Sequence, residues 1–266
     1  VALLLLLVAG LAFMVLSPAV AEHLLFYPDR SDPGAPPRLA GVRGEQVELE
    51  ARDGAELYGW WYAPDDPVGV LLLLHGNAGH LGDRAHVAEG LVRRRLAVFL
   101  LEYRGYGGNP GTPTIRGVVR DAEAGLEEVA KRAGGREEVV LMGRSLGGAV
   151  GIAALGRDTR VGGVVLESTF TSLEEIAATV YPWLPRLLFR RLRGLLDTRR
   201  GVEGLDAPLL VVHGTEDALI PASMGRELVR AAPGPAEWYP VPGAGHNEVP
   251  AVAGAAYFER IARFVD

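Results

Sequence analysis

Gly143-Arg144-Ser145-Leu146-Gly147 follows the apolar run Val139-Val140-Leu141-Met142 and leads into Gly147-Gly148-Ala149-Val150-Gly151-Ile152-Ala153-Ala154-Leu155, a small-residue run suited to a buried helix. The pentapeptide has the form Gly-x-Ser-x-Gly. Between a buried strand and a helix, this pattern presents a serine hydroxyl on a sharp turn above a sheet. Such a turn needs small neighbours, and the glycines at 143 and 147 supply them. The amide of Leu146 falls at the helix N-terminus, where N–H groups lack intrahelical acceptors and can hold an oxyanion. In a chain with 35 glycines, the bland reading is a glycine-rich turn with an incidental serine. The strand-turn-helix context favours a nucleophile.

Outward from this turn the chain repeats one signal. Residues 68–74, 96–101, 161–166 and 209–212 are, like 139–142, nearly continuous apolar runs, as expected of strands buried on both faces. Helical stretches at roughly 84–95, 115–132 and 146–156 separate them, and 237–241 and 252–265 read as a last strand and a closing helix. Upstream, 46–50 and 57–62 flank Asp53-Gly54 and read as an antiparallel opening pair. Strands alternating with helices predict an α/β fold, a mainly parallel central sheet with helices on both faces. Residues 169–207 carry no strong buried-strand run and read as a small cap over the C-terminal strand ends. The expected organisation is a segment at 1–21, a Pro/Gly-rich linker or extended arm within 22–45, and one domain at 46–266.

Composition limits the function classes. The chain has 266 residues, 48% hydrophobic and 23% charged, with a formal net charge of -6. That suits one large domain and gives no reason to expect nucleic acid as a partner. Cysteine is absent, which excludes disulfides, thiolate catalysis and cysteine-ligated metals. No His/Asp/Glu cluster has ligand spacing, so no metal or cofactor is expected. Residues 1–21 contain no charged side chain and end in Ala19-Val20-Ala21, the A-x-A form of a signal-peptidase site. Three readings stand: a transmembrane anchor, a signal peptide cleaved at Ala21, or a buried core helix. Asp29 and Asp32 mixed with Arg30 and Arg38 just downstream favour an exported domain, anchored or secreted.

A serine hydroxyl needs a base, and histidine suits neutral pH. His246 lies in the glycine-rich loop Pro242-Gly243-Ala244-Gly245-His246-Asn247-Glu248, between the last strand and the closing helix. It is the favoured base over a plain surface-loop histidine. His75 and His213 each end a buried strand and are expected to bond nearby backbone. His80 and His86 read as loop or surface residues, and His23 lies beside the apolar segment. The base needs an acid to fix its tautomer. Asp217 directly follows a buried strand; its competing readings are a turn cap and, for the acid, Glu167. Glu216 would point elsewhere on the same loop. The loop His75-Gly76-Asn77-Ala78-Gly79 follows the strand at 70–74, and the Asn77 amide, with Ala78 next, is the expected second oxyanion donor.

At this point the chain resembles the α/β-hydrolase superfamily, over residues 47–266. The resemblance rests on His75-Gly76-Asn77-Ala78-Gly79, Tyr103-Arg104-Gly105-Tyr106-Gly107, Gly143-Arg144-Ser145-Leu146-Gly147, Glu167-Ser168-Thr169-Phe170-Thr171-Ser172 and Gly243-Ala244-Gly245-His246-Asn247. Together these are similar to the membrane-anchored branch of depalmitoylase-like, or serine aminopeptidase-like, hydrolases. The order Ser145, Asp217, His246 is the order such hydrolases use. The resemblance implies an N-terminal anchor and cofactor-free hydrolysis of acyl esters or thioesters, with a lipid-like or other small acyl substrate. Glu102 and Asn109 depart from the aspartate and serine usual in that family. A peptidase, a small-molecule esterase and a catalytically silent binding protein are the competing readings. In 183–200, Trp183, Leu184, Leu187, Leu188, Phe189 and Leu192 alternate with Arg186, Arg190, Arg191, Arg193, Arg199 and Arg200. That mixture fits either a membrane-facing cap surface or an ordinary packed cap.

Overall fold

Strands with apolar side chains on both faces must be covered by helices on both faces, and the chain is built this way. A computed structural model describes residue 22 and residues 25–135, 138–156 and 161–266. The apolar segment at 1–21 and His23 lie outside those residues. Among the described residues no helix is long and apolar enough to cross a membrane.

In chain order the strands are β1 (Tyr27–Pro28), β2 (Glu45–Glu50), β3 (Glu56–Tyr62), β4 (Gly69–Leu74), β5 (Ala78–Gly79), β6 (Leu96–Leu101), β7 (Val139–Arg144), β8 (Gly163–Glu167), β9 (Leu209–Gly214) and β10 (Ala236–Val241). The helices are α1 (Ala85–Val92), α2 (Ile115–Ala133), α3 (Leu146–Leu155), α4 (Leu173–Val180), α5 (Arg186–Phe189), α6 (Thr198–Val202), α7 (Ala222–Ala231), α8 (Val249–Ala253) and α9 (Ala255–Val265). Eight strands form one sheet in the order β10-β9-β8-β7-β4-β6-β3-β2. Only the β2–β3 and β3–β6 pairings are antiparallel. Alternate residues of the central strands feed two cores. Leu72, Leu74, Phe99, Leu101 and Leu141 face α2 and α3, while Leu71, Leu73, Val98, Leu100 and Met142 face α1 and α9.

The sheet order also locates the crevice. From β4 the chain crosses to β6 on one side, and β7 then returns on the other. The loops leaving β4 and β7 therefore diverge, opening a cleft at their carboxyl ends. Those exits are residues 75–79 and Ser145.

The structure differs from the sequence reading at four places. β7 runs through Arg144, so Ser145 follows the strand without a spacer. The closing helix begins at Val249 and is broken at Gly254, where φ is 56°, into α8 and α9. The helix α7 is absent from the sequence reading: Gly225 in its middle obscures the Met224/Leu228 buried pair. A side chain at 225 would strike His213 and Trp238, so close packing requires the glycine. Finally, the Pro/Gly-rich arm is pinned, because β1 pairs in parallel with β5, inside the loop that leaves β4.

Candidate active site

The turn at Ser145 is the strained point of the chain. Its backbone sits at φ 53°, ψ −121°, a conformation that L residues rarely adopt and that costs about 1–3 kcal/mol. Neighbouring contacts hold it there. The Ser145 amide donates to the Glu167 carbonyl at 2.8 Å, and its carbonyl accepts from the Gly148 amide at 3.1 Å and the Thr169 hydroxyl at 3.2 Å. A side chain at Gly143 would lie 2.5 Å from Gly147 O, and one at Gly147 would overlap the carbonyl oxygens of Leu74 and His75. Both glycines are thus demanded by close backbone approach.

Three residues distant in sequence meet here. His246 Nε2 lies 3.2 Å from Ser145 Oγ, and His246 Nδ1 lies 2.7 Å from Asp217 Oδ2. The other Asp217 oxygen accepts the amides of Leu219 at 2.9 Å and Ile220 at 2.8 Å. Burial opposes the charge on Asp217. Hydrogen bonds from His213, His246 and the Ile220 amide outweigh it and hold the carboxyl well below the usual carboxylate range. With its Nδ1 bonded to a carboxylate, neutral His246 carries its proton there and presents a lone pair to the serine.

The remaining candidates have other partners. His213 Nε2 donates to the Ile220 carbonyl at 2.8 Å, lies 3.4 Å from Asp217 Oδ2, and so braces the loop that carries Asp217. His75 bonds backbone, as the sequence reading expects, with Nδ1 2.7 Å from Gly76 O, but its Nε2 also faces Glu102 Oε1 at 2.9 Å. Glu102 in turn accepts the Leu81 amide at 2.8 Å, and Asn109 donates to the Glu102 carbonyl at 3.0 Å. The two positions that depart from the family pattern therefore touch each other. Glu167 is buried beneath the serine, with Oε1 3.1 Å from Arg144 Nε and Oε2 accepting the Tyr257 hydroxyl. Among the described residues it makes no bond to His246. His80 sits in a loop beside Asp83, and His86 is an exposed residue of α1.

Sequence reasoning missed Arg144. Its Nη2 donates to the His246 carbonyl at 3.1 Å and to Asn247 Oδ1 at 2.9 Å, tying the histidine loop to the end of β7. The signal was present: an arginine on a strand buried on both faces must be partnered. The expected oxyanion donors flank the serine. Leu146 is the first residue of α3, and Asn77 lines the same cavity as Ser145 and Leu146. The Asn77 carbonyl is gripped by the Tyr27 amide at 2.9 Å and the Tyr106 hydroxyl at 2.8 Å, and its side chain donates to Leu25 O at 3.1 Å. The cavity measures about 310 Å³. Its deep wall is apolar, formed by Phe170, Leu173, Ile176, Phe189 and Leu192, and no carboxylate lines it among the described residues. Among the described residues, no group of three or more His, Asp or Glu could hold a metal ion.

A mostly parallel sheet with a strained serine between β7 and α3 defines an α/β-hydrolase. The family model described as serine aminopeptidase, S33, matches residues 65–200. The chain belongs to that family. An uncharacterised protein of Mycobacterium tuberculosis is 37% identical over 253 residues, covering 92% of this chain and 86% of its own length. The alpha/beta hydrolase domain-containing protein WAV2 of Arabidopsis thaliana is 30% identical over 235 residues, covering 80% of this chain and 75% of that protein. An esterase of Pyrococcus furiosus superposes with a TM-score of 0.74 at 20% identity, over 91% of this chain and 97% of that one, a likeness of fold alone.

Two stability measurements follow from this geometry. Gly147→Ala will lose about 1–3 kcal/mol in urea unfolding through overpacking, whereas Gly135→Ala, with open space around it, will be near neutral. Equal effects would mean that the turn tolerates a side chain. The Asp217 carboxylate, depressed in the folded state, contributes stability above its unfolded value of about 3.9, and loses it as the pH falls through the lower folded value. The stability gap between wild type and Asp217→Asn will therefore narrow on acidification below about pH 4. A gap constant across that range contradicts the assignment.

Proposed function

We propose that the chain is a serine hydrolase that cleaves esters or thioesters of apolar acyl groups through an acyl-enzyme. The observation that carries this reading is the Ser145–His246–Asp217 hydrogen-bond chain opening into the apolar cavity. Ser145 Oγ attacks the acyl carbonyl while His246 Nε2 takes its proton. The amides of Leu146 and Asn77 receive the oxyanion. Collapse of the tetrahedral intermediate expels the alcohol or thiol, which takes the proton back from His246. Water, deprotonated by the same imidazole, then releases the acid. Asp217 orients the ring and stabilises its cation. The chemistry of the cavity favours an acyl group over a peptide N-terminus, because a free ammonium finds no carboxylate there.

Ser145→Ala will abolish both ester hydrolysis and labelling by a fluorophosphonate probe, and His246→Ala will match it, because the two act as a unit. Asp217→Asn will lower kcat by about 10³–10⁴ through the wrong histidine tautomer, and Glu167→Gln will cost much less. Near-wild-type turnover in Ser145→Ala would falsify the mechanism; a larger loss in Glu167→Gln than in Asp217→Asn would reassign the acid.

The acyl site is tested by filling it. Across p-nitrophenyl esters of increasing chain length, Ile176→Trp will lower kcat/KM for octanoate by roughly tenfold or more while sparing acetate, since each methylene in an apolar pocket is worth about 1–3 kcal/mol. An unchanged chain-length profile would move the acyl group elsewhere.

A further inference from the structure

The cavity has an unusual mouth. Four residues both line it and stand in solvent: Val180, Tyr181, Trp183 and Leu219. Trp183 is 76% exposed, and Leu187, on the adjoining α5, is 67% exposed. Large apolar side chains seldom cluster on a free surface unless something covers them. Here they form one rim around the entrance to the candidate active site.

Charge on this face narrows the choice of partner. The protein carries a formal net charge of -6, but the three acids of residues 173–200 are engaged. Glu174 pairs with Arg193, and Glu175 with Arg199. Asp197 accepts the Arg200 amide at the start of α6. Of the six cap arginines that the sequence groups together, Arg193 and Arg199 are therefore neutralised. Arg186 and Arg190, at either end of α5, stay exposed beside Leu187. The rim thus combines exposed aromatic and aliphatic side chains with guanidinium groups, on a protein that is otherwise acidic.

The N-terminal arm arrives at the same place. Leu25 lines the cavity, and its carbonyl accepts from the Asn77 side chain. Glu22 accepts the Ile115 amide at 2.9 Å, at the N-terminus of α2. The chain is thus held on this face where it joins the uncharged residues 1–21.

We propose that the rim formed by Tyr181, Trp183, Leu187 and Leu219 docks on an anionic phospholipid bilayer, so that the cavity opens onto the membrane surface. The apolar side chains enter the acyl boundary, and Arg186 and Arg190 meet anionic headgroups. The acyl substrate enters from the lipid side. The surface does not depend on the chemistry at Ser145: loss of probe labelling with docking intact would remove the proposed function alone.

The experiment uses the full chain with vesicles of phosphatidylcholine and phosphatidylglycerol in which the phosphatidylcholine is brominated. Bromine quenches tryptophan only at close range. The other three tryptophans, Trp60, Trp61 and Trp238, lie in β3 and β10. Wild-type fluorescence will be quenched, and Trp183→Phe will lose most of that quenching. Arg186→Glu combined with Arg190→Glu will weaken it, as will added salt, while hydrolysis of a short soluble ester by the double variant stays unchanged. Leu187→Glu will also weaken it, which guards against a local effect at position 183. Quenching that is equal in wild type and Trp183→Phe overturns the proposal. So does quenching indifferent to both arginines, or a lipid-free dimer in which Trp183 is shielded, since that would make a second copy the occupant.

Discussion

Everything in the candidate site depends on how closely the backbone of α3 approaches the end of β4. The sharp turn at Ser145 can form only because Gly143 and Gly147 let main-chain atoms come together where a methyl group would intrude. That approach brings the first amide of α3 beside the loop leaving β4. It also forces Ser145 into an unfavourable backbone conformation, held by bonds from its amide and carbonyl to β8, Thr169 and α3. The strain is offset by the packing of a sheet buried on both faces.

Around this turn lies a layer of buried polar groups, each acting through a loop. Arg144, braced by Glu167, holds the His246 loop by its main-chain carbonyl. His213 holds the Ile220 carbonyl and so shapes the turn that presents Asp217. His75, between Gly76 O and Glu102, fixes the peptide whose N–H belongs to Asn77. A donor on the carbonyl side of a planar peptide sets the direction of its N–H on the other side. These groups explain why the strand exits carry histidines and arginines that never touch the serine. Buried charges persist in such a place because they are paired and hydrogen-bonded.

The arm at 25–41 belongs to the same machinery. Tyr27 donates to the Asn77 carbonyl, and the Gly107 amide donates to Asp29 O. The arm therefore clamps the loop leaving β4 against the loop leaving β6, which Arg104 anchors through Asp121 and Asp53. An element that composition alone describes as a linker or an extended arm is held against the loops that wall the cleft.

The sequence by itself determined the eight strands of the main sheet, the helices α1 to α3, the closing helix and the identity of the residues at the strand exits. Burial on both faces writes a continuous apolar run, and a tight turn writes glycine, so 69–74, 96–101 and 143–147 were legible. Ser145, Asp217 and His246 were each readable as groups just past a strand. Their meeting was expected from their roles, their order in the chain and the family resemblance, but its geometry was not legible, because it depends on which strands lie side by side, and β7, β8 and β9 are adjacent only through the sheet order. Arg144 as a brace, Glu167 as its partner and Glu102 as the partner of His75 were likewise decided by the tertiary structure. Each bond spans separate elements, and a single buried charge carries no mark of the partner it will find. The short β1–β5 pairing and α7 escaped for a related reason: two-residue strands and a glycine-interrupted helix have almost no periodicity of their own and exist because the rest of the fold holds them.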